Sequence, residues 1–167
     1  GAGMRALILS DSHGRSDLVV RAYEEACAQG GADAVLFAGD GWDDLMPLVE
    51  RKIPVYAVRG NSENLVGGPP YMRVETLEQA RVMITHGHRS DVRHTLDELV
   101  RSARDMSAIV AVYGHTHAQH AKWHRGVLTV NPGALRDGRY AVLQVQTGHI
   151  EAELKQMKNI SAGEGRS

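Results

Sequence analysis

Metal-competent side chains gather in short groups along the 167-residue chain: Asp11-Ser12-His13, Gly39-Asp40-Gly41, Gly60-Asn61-Ser62-Glu63, His86-Gly87-His88 and Gly114-His115-Thr116-His117. Together they offer carboxylate, imidazole and amide donors. That mixture suits a divalent transition metal such as Mn, Fe, Zn, Co or Ni, whereas a thiolate site needs cysteines. The single cysteine, Cys27, falls inside a predicted helix. Each group alone says little, because His-x-His and Asp-x-His recur by chance in a chain with nine histidines. Asp11 or Asp40 alone would read as a strand-end turn or a helix cap. His94, His120, His124 and His149 read as ordinary solvated side chains. The joint placement carries the signal, since each of the five groups stands just beyond an apolar run. Asp11, His13, Asp40, Asn61, His86, His115 and His117 exceed what one ion normally takes while leaving room for water. Two metals sharing a bridging carboxylate, roughly 3.5–4 Å apart, are the economical arrangement, and such a pair commonly serves in-line displacement at phosphorus.

The elements that must position these groups follow from the apolar runs. Residues 6–9, 34–38 and 55–58 are short continuous runs, the form of strands covered on both faces. A helix is expected from about Asp17, capped by Ser16 and stopped at Gly30-Gly31, and a shorter one over 42–50 with Pro47 limiting its start. Strand, helix, strand, helix, strand argues for a parallel sheet with right-handed crossovers, whose carboxyl ends line one edge where ligands bind. The second half reads as strands over 72–76, 81–85, 108–113, 119–123, 127–130, 140–146 and 150–154. One amphipathic helix, marked by Val92, Leu96, Leu99, Val100 and Ala103, interrupts them. The expectation is two sheets packed face to face with helices outside, forming one domain over residues 4–157. Residues 1–3, ahead of Met4, read as an expression remnant and residues 158–167 as a frayed tail.

Composition narrows the function classes. Nineteen Lys and Arg against twenty Asp and Glu give a net charge of −1, without the positive excess that non-specific nucleic-acid binding relies on. No apolar run approaches the ~20 residues that span a bilayer, and nothing near Met4 has the form of a signal peptide. One cysteine allows no intramolecular disulfide, which suits a reducing cytoplasm. A local basic patch from Arg89, Arg93, Arg101 and Arg104 is read as a solvated helix face.

Asp11-x-His13, Gly39-Asp40, Gly60-Asn61, His86 and Gly114-His115-x-His117, in that order and over most of the chain, resemble the signature of the calcineurin-like metallophosphoesterases. Ser10 to Gly14, Thr85-His86-Gly87-His88 and Asn131-Pro132-Gly133 resemble the small prokaryotic phosphodiesterase subgroup, relatives of the retromer scaffold subunit. The resemblance implies an α/β fold, a four-layer α/β/β/α sandwich of two mixed β-sheets flanked by helices, with a dinuclear site at the sheet edges. It assigns Asp11, His13 and His117 to the first metal, Asp40 to the bridge, and Asn61, His86 and His115 to the second. Three departures stand out: Ser62 where phosphatases of the family commonly carry histidine, Glu63 where aspartate is usual, and Ala134 where the subgroup often has serine.

The reading is a dinuclear metal-dependent phosphodiesterase, with Mn the first choice of ion and a metal-bridging hydroxide attacking phosphorus in line. Asp40 bridges and orients, while Asn61, His88 and Arg15 are the candidates to contact substrate and stabilise charge. The implied partner is a small phosphodiester, with no membrane or nucleic-acid partner, and both a monomer and a homo-oligomer stay open. The rival readings are a protein-binding scaffold of the same fold and a nuclease of the same superfamily.

Overall fold

Strand β1 (Met4–Leu9) is apolar on both sides because both sides are covered. Ala6 and Ile8 face a core between two sheets, while Leu7 and Leu9 face helices. The architecture around it is seen in a computed structural model that describes residues 3–61 and 66–160. Ser62 and Glu63, two of the departures noted above, lie outside the described residues.

After β1 come α1 (Ser16–Ala28), β2 (Ala34–Phe37), a 3-10 turn (Trp42–Leu45), α2 (Met46–Glu50) and β3 (Val55–Ala57). The second half runs β4 (Met72–Leu77), β5 (Ala80–Thr85), α3 (Asp97–Asp105), β6 (Val110–Val112), β7 (His120–His124) and β8 (Val127–Asn131). A second 3-10 turn (Leu135–Asp137) precedes β9 (Arg139–Gln146) and β10 (His149–Gln156).

The first sheet has the order β10-β9-β1-β2-β3, parallel from β1 to β3 and antiparallel across β9 and β10. The second has the order β4-β5-β6-β8-β7, parallel from β5 through β8 with antiparallel edges. Ile8, Leu36 and Leu143 of the first sheet and Ile84, Val112 and Val130 of the second are fully buried between the two. Leu18, Val19, Ala22 and Leu48 cover the outside of the first sheet, and Leu99, Val100 and Ala103 that of the second. Helix, sheet, sheet, helix is therefore the layer order, the mixed-sheet sandwich the sequence led us to expect.

Two helix starts differ from expectation. Ser16 lies inside α1, and the capping position falls on Arg15 with no side-chain capping bond. The second-half helix begins at Asp97, with Val92 in a preceding turn, buried against the position where Gly87 lacks a β-carbon. Pro47 sits in the first turn of α2, where its missing N–H costs nothing. Residues 158–160 fell in the expected tail, yet Ile160 packs on the helix-side core. Among the described residues no helix is long and apolar enough to cross a membrane.

Candidate metal centre

Five loops meet at the carboxyl ends of β1, β2, β3, β5 and β6, and their backbones are laced together. The Asp11 N–H donates to the Gly39 carbonyl at 2.9 Å, the Gly114 N–H to that of His86 at 3.0 Å, and the Leu135 N–H to that of Ser10 at 2.8 Å. The chain turns sharply here. Asp11, His13, Asp40, His115 and His117 all have left-handed backbones, with φ between 45° and 68°. Each such non-glycine residue costs about 1–3 kcal/mol, a strain that persists only where the surroundings impose it.

The turns aim side chains at one point. Asp11, His13 and His117 form one group, and Asp11, Asp40 and His86 a second, with the ligand atoms of each within 4.8 Å of one another. Asp11, fully buried, is common to both. Its Oδ2 accepts from the Ser10 hydroxyl and from the His115 N–H at 3.4 Å. Its Oδ1 lies 3.2 Å from His117 Nε2, 3.5 Å from His13 Nε2 and 4.0 Å from His86 Nε2. Asn61 joins the second group, its Oδ1 2.9 Å from His86 Nε2. His115 stands beside it, its ring 5.1 Å from that of His86, though neither group includes it.

The donor chemistry fits cations. His86 Nδ1 lies 2.7 Å from the Ala38 carbonyl, which makes it the protonated nitrogen. Nε2 then presents a lone pair to Asn61 Oδ1, to Asp40 Oδ2 at 3.3 Å and to Asp11 Oδ1, an encounter of electron pairs that an ion between them resolves. In the absence of an ion, burial depresses the His86 pKa but the Asp40 and Asp11 carboxylates outweigh it, and the net shift is upward. His115 is shifted down by burial and by the charges of His86 and Arg93.

Besides Asn61, the two other residues expected to contact substrate differ in setting. His88 packs near the centre, its ring 5.5 Å from His86, and its Nδ1 is buried with no partner among the described residues. Burial, with His86 and Arg89 nearby, lowers its pKa. Arg15 is buried, and Asp17 engages its guanidinium in a fork with both contacts at 3.0 Å. The expected arginine patch also divides: Arg89 and Arg93 precede α3, whereas Arg101 pairs with Glu98 at 3.2 Å and Arg104 donates to the Arg125 carbonyl.

Two glycines make the centre sterically possible. A β-carbon at Gly60 would lie 1.9 Å from Asp40 Oδ1, and one at Gly114 would lie 2.1 Å from Ser10 Oγ and 2.9 Å from Asp11 Oδ2. Other residues support the centre in ways the sequence did not show. Buried Asp44 accepts from the Ser12 hydroxyl at 2.6 Å and the Gly14 N–H at 2.8 Å, tying the Asp11–His13 loop to the 3-10 turn. Buried Asn131 donates to the Gly114 carbonyl at 3.3 Å and to Thr116 Oγ1 at 3.0 Å, bracing the segment that carries His115 and His117. It also accepts the Gly133 N–H at 2.9 Å, which gives Asn131-Pro132-Gly133 a structural task. Arg93 and Arg136 contact His115 and His117 directly.

Comparison with known proteins agrees with this geometry. The chain is 29% identical over 150 residues to "Probable metallophosphoesterase YsnB" of Bacillus subtilis (strain 168), covering 86% of this chain and 85% of that one. A conserved Streptococcus pneumoniae TIGR4 protein, described as a "predicted phosphoesterase", superposes with a TM-score of 0.77 at 26% identity, over 93% of this chain and 91% of its own. The same fold recurs in Vacuolar Protein Sorting 29 of Cryptosporidium parvum (TM-score 0.71, 18% identity, 94% and 99% covered). It recurs again in a novel archaeal phosphodiesterase (TM-score 0.69, 20% identity, 91% and 100% covered). The match to the calcineurin-like phosphoesterase superfamily domain runs over residues 4–151, from β1 into β10 and through every loop that carries a donor, and the chain belongs to that superfamily.

Proposed function

We propose that this protein is a two-metal phosphodiesterase acting on a small phosphodiester. The observation that carries the reading is the pair of overlapping donor groups that share buried Asp11. Asp11, His13 and His117 would hold one ion, and Asp40, Asn61, His86 and His115 the other, with Asp40 reaching both as in the family assignment. Bound there, two divalent ions of the Mn, Fe, Zn, Co or Ni type would lower the pKa of a shared water and neutralise charge developing on the phosphoryl oxygens.

The chain's own residues do the rest. Asp40, held against Gly60, and Asn61, 2.9 Å from His86, fix the reacting edge of the site. Hydrogen bonding to Ala38 orients His86 so that Nε2 faces inward. His88, beside His86 and with an unpartnered ring nitrogen, is placed to hydrogen-bond the departing oxygen. Arg15, engaged by Asp17, has less to offer a substrate than His88. The archaeal phosphodiesterase sharing this fold supports a diester substrate, and free Cys27 suits a reducing cytoplasm.

The test is to strip the purified protein with a chelator, reload it with Mn or Zn, and offer a phosphomonoester, a phosphodiester and a cyclic nucleotide. Metal-restored turnover of the diester is expected. Failure to turn over any of them, with metal shown to be bound, overturns the reading in favour of a scaffold role.

A further inference from the structure

Several arginines away from the metal centre pair with carboxylates. Arg5, Arg15, Arg21 and Arg73 each meet a carboxylate within 4.0 Å. At the rim of the metal centre two arginines meet histidine rings instead. Arg93 Nε donates to His115 Nε2 at 3.0 Å, and Arg136 Nη2 reaches His117 Nδ1 at 3.4 Å. Both side chains are exposed, and among the described residues neither has a carboxylate partner. They come from separate segments, one before α3 and one in the second 3-10 turn, and converge on the two histidines that flank Asp11.

That placement is electrostatically costly in a cation site. The two donor carboxylates, Asp11 and Asp40, offset only half the charge of two divalent ions, and each guanidinium adds to the surplus. A simple phosphodiester, with one negative charge, leaves most of it uncompensated. We propose that Arg93 and Arg136 form an anion clamp that selects phosphoesters carrying a second phosphate group, with guanidinium N–H groups binding that group in the fork geometry arginine favours. This deepens the hydrolase reading and rests on it for the identity of the reacting ester.

A matched pair of esters tests the clamp: thymidine 5′-(p-nitrophenyl phosphate) and the same ester bearing an added 3′-phosphate. Wild type should prefer the second. In Arg93→Gln and in Arg136→Gln the ratio of the two kcat/KM values should fall about tenfold, the scale of one lost charge-assisted hydrogen bond. An unchanged ratio, whatever happens to the absolute rates, overturns the clamp and leaves the hydrolase reading standing.

A second readout does not depend on activity. In chloride buffer free of phosphate, equilibrium dialysis should show both variants binding Mn more tightly than wild type, about threefold or more, because a nearby positive charge has been removed. If the arginines merely hold the histidine rings in place, the same variants bind Mn more weakly, which rejects the proposal. Calorimetry with inorganic pyrophosphate on the Mn-loaded protein should show about tenfold weaker binding in each variant, and equal affinity likewise rejects it. Should wild type hydrolyse neither ester, the hydrolase reading fails while dialysis and pyrophosphate binding still decide the clamp.

Discussion

Gly60 and Asp40 occupy space that only one side chain can fill: a β-carbon on Gly60 would stand 1.9 Å from Asp40 Oδ1 and 2.6 Å from the Asp40 amide nitrogen. The glycine is thus part of the centre without supplying a donor. Its φ is not left-handed, so close approach alone is the constraint. Gly60→Ala should displace Asp40 and lower metal affinity and turnover about 10–100-fold, the range typical for residues that orient ligands. The variant should still fold, with a circular dichroism spectrum like wild type. A fully active Gly60→Ala would show that Asp40 can move without loss.

Asp40→Ala should lose activity and much of the bound metal together, if Asp40 reaches both ions. Elemental analysis after Mn saturation should give two ions per wild-type chain and fewer than two in the variant. Asp11→Ala should be at least as severe, because Asp11 stands in both donor groups. Finding one ion per wild-type chain would refute the dinuclear assignment.

His86 and His88 should separate cleanly. His86→Ala removes a nitrogen aimed at Asp40 and Asn61 and should reduce metal occupancy. His88→Ala removes a ring outside both donor groups and should slow turnover roughly 10²–10⁴-fold with occupancy retained. Equal loss of metal in both variants would make His88 a ligand.

Asp44 is predicted to matter for stability as well as activity. Its carboxylate takes two hydrogen bonds, and Asp44→Ala removes both, leaving the buried Ser12 hydroxyl only the long contact to the Gly41 carbonyl. A loss of about 2–3 kcal/mol is expected in urea unfolding of the metal-free protein, against about 1 kcal/mol for Ser12→Ala. Equal effects would place the importance in the Ser12–Asp44 bond alone.

Away from the centre, His120 gives a pH dependence of defined sign. Burial lowers its pKa, with His124 and Lys122 adding to the effect. Neutral His120 is therefore favoured in the fold, while the unfolded chain takes up its proton near pH 6.5. Its contribution is intact at pH 7.5 and is lost as pH falls through 6.5 towards the folded value. His120→Gln should flatten that part of the stability profile, measured by denaturation between pH 7.5 and 5.

What the sequence disclosed and what it hid have physical reasons. The central strands were legible because they are covered on both faces, so runs such as 34–38 carry no polar interruption. The donors were legible because each falls where such a run stops. The start of α3 was not: Val92 continues the apolar spacing, yet it is buried by packing at Gly87 rather than by belonging to the helix. Asp44 looked like any acidic residue in a short helix, and its value comes from a partner 32 positions away. Arg93 read as one charge on a helix face, whereas its partner, His115, lies 22 residues on in the chain. Contacts of that kind leave no local periodicity to detect.

The left-handed backbone at Asp11, His13, Asp40, His115 and His117 sets persistence against turnover. Glycine at His13, His115 or His117, none of them buried, would relieve local backbone strain. The same change deletes a donor. Selection for a longer-lived protein in the absence of its chemistry would therefore erode this edge first, and the sandwich beneath would survive as a sturdier body free to be employed for its surface. An enzyme of this design keeps its catalytic loops only while something in the cell needs the reaction.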